Sequence, residues 1–459
     1  MTNEALQQAA CFVLAVTVST VLALAQPAPQ GAASRAEGAL PTGPLSLPEC
    51  IRIALEHNPD VAGAVASVQA ANAHLGEVRS ADFPALDLTA GAERGRALST
   101  GEIGGAPTQT SADGTISLQY LLFDGGERAA RIAAAADAQR ATALQRDSIV
   151  EALALRVTER YYGLLAAQWA REVAEVTRRS AEYHVDLARA RHAAGLVPRS
   201  DVLRAETELA DAALGVVQAR SASRITEGEL ATAMGVPVTT VVRVESGPET
   251  ALAQRREGVE AMLALAERAR PELQASRALE EAARAAVREA KAQWWPRVSS
   301  GADYAWRDDS LLEARDSWSL GVRLTLPLFT GFERGARLER TTAERRQAEA
   351  AYQVLLRDVE LEVWSSYAQV DEAEEAIQAT AALVASAEES ARLAEGEYKS
   401  GTGSIIGLID AQTALSSARL RQVAARLALH TAMARLDRAV GRSLIASAAS
   451  AGEKLGGTR

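Results

Sequence analysis

The sequence predicts a mainly α protein with a transmembrane β part, built as a duplicated unit of long antiparallel helices and two β-hairpins. Three observations lead there. The chain repeats itself over most of its 459 residues. Each copy contains a very long stretch free of proline. Each copy also carries two short runs that alternate apolar and polar residues with period two.

The N-terminal element reads as an export signal. Ala9 to Ala25 is uncharged and mostly apolar, and Ala23-Leu24-Ala25 fits a small-x-small cleavage site, so residues 1–25 are expected to be a signal peptide. Cys11 opens the apolar run instead of ending it, so no lipid anchor is expected. Residues 26–45 are rich in Pro, Gly and Ala and are expected to be a disordered leader. Beyond the signal, no segment has about 18 apolar residues without charge, so no membrane-spanning helix is expected.

Two repeats follow, at 46–235 and 259–441, joined by an equatorial connection at 236–258 and followed by a flexible tail at 442–459. Arg270-Pro271 stands 212 positions after Asn58-Pro59, and Trp295-Pro296 stands at the same spacing after Phe83-Pro84. The spacing then settles at 206: Phe123 with Phe329, Gly125 with Gly331, Tyr161 with Tyr367, Gly195 with Gly401 and Gly235 with Gly441. In the first repeat, Ser46-Leu47-Pro48-Glu49 makes a capping box for a short helix to about His57. Asn58 and Pro59 fit the N-cap and first position of a helix to about Asp82. Glu127 to Ala194 has no proline and only Gly163, and 200–234 has no proline and only Gly215 and Gly228.

The corresponding helices of the second repeat are 271–294, 333–400 and 406–440. At 1.5 Å per residue the long helices are rods of roughly 100 Å, about the summed length of the two shorter helices of each repeat. One long helix therefore lies beside two short ones stacked end to end. Gly235 then falls near mid-height and Gly195 at one extremity.

The strands are expected at about 84–94, 114–123, 297–306 and 318–328, each long enough to cross a bilayer when tilted. Leu86, Leu88, Ala90 and Ala92 share a face in the first strand, and Ile116, Leu118, Tyr120 and Leu122 in the second. Aromatic residues gather here, and Phe83, Tyr120, Phe123, Trp295, Trp306, Trp318 and Phe329 are the expected membrane-interface set. Four strands cannot close a barrel, and open edges are not tolerated in hydrocarbon, so the chain must oligomerise. Two copies leave an interior filled by side chains, whereas three give a 12-stranded β-barrel with a useful hole. The loops Ser99–Asp113 and Arg307–Asp316 are expected to face the exterior.

Composition excludes several other functions. The formal net charge is −10 without a Lys/Arg block, which argues against nucleic acid as a partner. Cys11 and Cys50 are the only cysteines, and the five histidines include no HExxH pair, so no metal site, cofactor or catalytic set is expected. His184 and His192, eight apart, read as surface residues. The chain is expected not to be an enzyme.

In order, duplication and spacing, these features resemble the outer-membrane efflux protein family, the TolC-like channels. The resemblance rests on the opening Leu47 to Pro59, the corners Leu122-Phe123-Asp124-Gly125-Gly126 and Pro327-Leu328-Phe329-Thr330-Gly331, and the turns Gly195 to Leu203 and Gly401 to Ile405. It implies a homotrimer with its barrel in outer-membrane lipid and a 12-helix α-barrel through the periplasm. It also implies a periplasmic adaptor (membrane fusion) protein docked on Gly195, Leu196, Val197, Gly401, Thr402 and Gly403, and an inner-membrane transporter beyond it, in a tripartite efflux or type I secretion system. Asp410 matches a pore-lining acid of the family, while Gly407 and Gly403 stand where the family carries an aspartate and a basic residue. Asp201 is a second candidate acid, or a helix N-terminal carboxylate favoured by the dipole. Without the resemblance, Gly195 and Gly401 are helix terminators, and Asp410 is a solvated surface residue. The competing reading is a periplasmic adaptor or coiled-coil scaffold of an export complex, which would carry one helical hairpin without the duplication.

Overall fold

The computed structural model describes residues 43–96, 108–245, 258–308 and 314–446. The expected signal peptide, almost all of the leader, and parts of the connection, the loops and the tail lie outside these residues. The element order is α1 (Leu47–His57), α2 (Pro59–Arg79, ending in a 3-10 turn Ser80–Asp82), β1 (Ala85–Arg96), β2 (Thr108–Phe123), α3 (Glu127–Ala193) and α4 (Arg199–Ala233). The second unit follows with α5 (Val259–Ala269), α6 (Pro271–Ala292), β3 (Arg297–Asp308), β4 (Ala314–Thr325), α7 (Glu333–Ser400) and α8 (Ile405–Val440).

Local chemistry sets the helix boundaries. The Glu49 carboxylate reaches back to accept from the Ser46 amide and hydroxyl, both at 2.8 Å, at the start of α1. Asn58 caps α2 by accepting from the Asp60 amide at 2.8 Å, with Pro59 next. The long helices stop at Ala194 and Gly401, and α8 stops at Gly441. Helix α5 had no counterpart among the expected elements; it occupies in the second unit the place of α1 in the first.

The helices pack side by side: α3 packs against α2, α4, α6 and α8, and α7 packs against α6 and α8. The short helices stack end to end against the rods. Gly235, just past α4, meets the α1–α2 junction, where the Asn58 side-chain amide donates to the Ala233 carbonyl at 2.9 Å. Gly441, just past α8, meets the α5–α6 junction at Ala269 and Arg270. Met262, Leu273, Val363, Val370 and Leu436 are buried in the core of the second unit.

The four strands make one antiparallel sheet in the order β1-β2-β3-β4, with a register shift in β2 between Leu121 and Phe123. Their ends differ from the expected ones. β2 begins at Thr108, inside the segment expected as an exterior loop, because the β1 backbone continues pairing to Arg96. β3 runs to Asp308 and β4 starts at Ala314, so the second loop also shrinks, while 326–328 leave the sheet.

Two flanking segments are more ordered than expected. Leu45, at the end of the expected leader, is buried and bridges Val244, and its amide donates to the Arg243 carbonyl at 2.7 Å. At the start of the expected tail, the Ser443 hydroxyl and the Leu444 amide donate to the Glu151 carboxylate at 2.7 and 3.1 Å.

Candidate functional site

Two surfaces can carry function, and they lie at opposite ends of the rods: the strand sheet and the pair of helical turns. The sheet is amphipathic in register. Leu88, Ile116, Tyr304 and Trp318 pair across all four strands, as do Leu86, Leu118, Ala302 and Leu320. These side chains share one face, and Leu86, Leu88, Trp318, Leu320, Val322 and Leu324 are each at least 64% exposed. The opposite face carries Asp87, Thr89, Ser117, Gln119, Ser299, Asp303, Ser319 and Arg323. Twelve residues at about 3.3 Å make a strand of roughly 40 Å, which spans about 28 Å when tilted by about 45°. That is the thickness of the hydrocarbon layer.

The expected interface aromatics divide. Phe83, Phe123, Trp295 and Phe329 gather at the helix-proximal end and are exposed. Tyr120 is half-buried. Trp306 lies across Gly114, where no Cβ would fit, and Trp318 sits inside β4 because that strand starts earlier than expected.

The corner from β2 into α3 is built by Asp124. Its buried carboxylate accepts from the Gly126 amide at 3.0 Å and from the Arg128 amide at 2.7 Å. Gly125 has φ +67° and lies so close to Trp295 that a Cβ would sit 2.4 Å from that residue's own Cβ. Below the corner, buried Glu127 pairs with Arg131 at 3.1 Å and with Arg297, tying α3 to β3.

At the far end, the two turns use different backbone solutions. In the first, Gly195 has φ +74°, and the Leu196 amide donates to the Arg191 carbonyl at 2.9 Å. The His192 ring Nδ1 lies 2.9 Å from the Val197 carbonyl. In the second, the amides of Gly401, Thr402 and Gly403 all reach the Glu397 carbonyl at 3.0 Å, and Ser404 caps α8 by accepting from Gly407 at 3.1 Å. A Cβ at Gly403 would come within 2.9 Å of Glu397 Cβ and 3.2 Å of the Tyr398 amide nitrogen. The turn therefore excludes the basic residue that the resemblance would put there.

Gly195, Leu196, Gly401 and Thr402 are exposed, and Val197 and Gly403 are half-buried. The structure brings both turns to one place through Arg191, which the sequence reading missed. The Arg191 guanidinium donates to the carbonyls of Tyr398 and Lys399, the latter at 3.1 Å, and lies 4.9 Å from the Tyr398 ring centre. Its only signal in the sequence is its place one turn before Gly195, and nothing in α3 alone marks its partner.

Beneath the turns, Val185, Ala188, Val202, Tyr398, Ile405 and Leu408 form a small core between the two helical hairpins. His184 Nδ1, Arg191 Nε and the Tyr398 hydroxyl are buried there without a hydrogen-bond partner. Each such atom costs about 1–3 kcal/mol, so the tip is packed but weakened. Burial, then Asp201, push the Tyr398 phenol above its ordinary value, against Arg191. His184, expected at the surface, is buried, and burial holds its imidazole below the usual value. Asp201 lies in the first turn of α4, half-buried. Asp410 is exposed on α8. Among the described residues, no group of three His, Cys, Asp or Glu is placed to hold a metal, and no helix is long and apolar enough to cross a membrane.

Comparison with known proteins adds to this geometry. The profile of a family described as "Outer membrane efflux protein" matches residues 50–236 and 262–442. Protein CyaE of Bordetella pertussis is 29% identical over 415 residues, covering 87% of this chain and 85% of that protein. The toluene efflux pump outer membrane protein TtgC of Pseudomonas putida is 24% identical over 416 residues, covering 86% and 83%. The solved outer-membrane channel OprN shares the fold, with a TM-score of 0.76 at 22% identity, covering 87% of this chain and 90% of that one.

Proposed function

The chain belongs to the outer membrane efflux protein family, and from that premise we propose that three copies of it close into one continuous exit duct. It is an outer-membrane export channel component, a transport protein and not an enzyme. Family membership sets aside the reading as a periplasmic adaptor or scaffold.

What supports the trimer is the distribution of unpaired surface. β1 and β4 have open edges in the protomer. On the helical side, α4 exposes Leu214, Val217 and Ile225, and α7 exposes Val354, Leu361 and Trp364. Joining β4 of one copy to β1 of the next, and α7 to the next α4, covers both sets at once. That contact is heterologous and closes as a ring. Three copies of four strands make 12, the smallest number here that leaves an open lumen. The apolar sheet face then meets lipid and the polar face meets water.

The duct itself performs no chemistry; the gradient or partner complex moves the cargo. The turns around Gly195, Leu196, Val197, Gly401, Thr402 and Gly403 serve as the docking end for an adaptor joined to an inner-membrane transporter. Asp410 and Asp201 supply carboxylates near that end, with Asp410 facing the pore. The observation that carries this reading is the four-strand sheet with one predominantly apolar, largely exposed face, attached to rods of roughly 100 Å. Planar-bilayer recording tests it: the purified protein conducts ions in discrete steps, and Asp410→Ala changes the current–voltage curve. A protein that inserts without conducting removes the duct, and an unchanged curve returns Asp410 to the surface.

A further inference from the structure

The duplication places an arginine twice at the corner between sheet and long helix, so one unit is an internal control for the other. In the first unit Arg128 has a carboxylate partner. Its Nε pairs with Asp82 at 2.9 Å, and its Nη1 donates to the carbonyls of Ala81 and Leu121, each at 3.0 Å. The Asp124 carboxylate accepts from its amide.

Arg334 stands 206 positions later, and both carboxylates are gone: Trp294 takes the place of Asp82, and Thr330 that of Asp124. Among the described residues its guanidinium donates to the Thr330 hydroxyl at 3.3 Å, the Leu328 carbonyl at 3.4 Å and the Gln293 carbonyl at 3.5 Å. Its central carbon lies 4.7 Å from the Trp294 ring centre. All of these are neutral partners at long range. Among the described residues, no carboxylate pairs with this permanent positive charge.

The surface around it is apolar and unpacked. Leu328, Phe329 and Phe332 are 86%, 75% and 82% exposed. Phe332 also holds φ +68°, where the first unit has Gly126. That left-handed backbone is unfavourable for a residue with a side chain, yet within the protomer the ring stays 82% exposed.

We propose that Arg334 binds the headgroup phosphate of an anionic membrane phospholipid, whose upper acyl chains lie against Trp294, Leu328 and Phe332. A planar guanidinium takes a phosphate by paired hydrogen bonds, and aromatic rings beside it suit the lipid–water boundary. The first unit has no such site, because Asp82 already neutralises its arginine. The inference rests on the sheet spanning the outer membrane.

The test is native mass spectrometry of the full-length protein released from nanodiscs of phosphatidylglycerol or phosphatidylcholine. The wild type retains phosphatidylglycerol about fivefold over phosphatidylcholine. Arg334→Gln and Thr330→Asp, the second restoring the carboxylate of the first unit, both lose that preference while inserting as well as the wild type. A preference that survives in both variants overturns the site. Displacement of the lipid by excess inorganic phosphate, with no preference between lipids, makes it a free-anion site and overturns the lipid assignment. Failure of the wild type to insert into either disc fails the membrane reading itself, and the site with it.

Discussion

Gly235 lies directly against Asn58: a Cβ built on the glycine would sit 2.7 Å from the Asn58 Cα and 2.8 Å from its amide nitrogen. Gly235 also holds φ +74°. The end of α4 can therefore meet the α1–α2 junction only through a residue without a side chain. Gly441 repeats the contact at Ala269 and Arg270. Gly235→Ala incurs about 1–2 kcal/mol from the backbone alone, and it also forces the joint apart. Thermal unfolding of the variant will show a midpoint several degrees lower. An unchanged midpoint would mean the joint is not close-packed.

Asp124→Ala removes the acceptor for the Gly126 and Arg128 amides in a buried corner. Loss of such a cap destabilises by about 1–2 kcal/mol. Faster amide exchange confined to the first turns of α3, with the rest of the rod unaffected, is the expected signature.

The sequence carried these two features unequally. The helices and the Gly235 and Gly441 joints were legible because glycine and proline punctuate the chain at matched spacings, and the Asn58-Pro59 and Arg270-Pro271 starts have a local chemical cause. The extra length of β2 and β4 was not. Thr108 to Asp113 pairs by backbone in a polar stretch, where alternation gives no signal. Arg191 and Tyr398 are 207 positions apart, and no local pattern joins them. Arg334 looks like Arg128 in sequence, and only the replaced carboxylates set it apart. The burial of His184 was misjudged because the α3 face that meets α7 cannot be told from its solvent face in an alanine-rich helix.

His184 gives the tip a pH dependence. Its imidazole is held below the ordinary 6.5, first by burial and then by Lys399, against Glu395; both charged groups lie on α7, and Tyr183 flanks it on α3. Because the packed-state value is depressed, the tip is fully stable above about 6.5. It weakens as the pH falls from there toward the lower packed-state value, and then no further. Hydrogen exchange across 181–188 and 394–402 will accelerate on acidification in the wild type. His184→Gln will be flat over the same window, and an acid response that persists in it would assign the effect elsewhere.

Leu196 is 66% exposed in the first turn. Leu196→Asp therefore changes stability by no more than about 0.5 kcal/mol. If the turns dock an adaptor, export falls severely in cells while the amount of assembled channel stays the same. Normal export with the variant would take the turn out of the docking surface.

Val217 faces outward from α4 on the side proposed to meet α7 of the next copy, and it is 63% exposed. Val217→Glu leaves the protomer fold intact but places a charge in the closed seam. The expected result is unassembled protein with unchanged helix content by circular dichroism. Assembly at the wild-type level would place the seam elsewhere.

The central claim is that one chain carries a third of a lipid-embedded cylinder. The most direct measurement is the mass, by light scattering, of the protein extracted from outer membranes in mild detergent. The expected particle holds three chains of 48.4 kDa, each shortened by any cleaved signal. A single chain recovered from the soluble periplasm, with its apolar sheet face covered by its own helices, would contradict it.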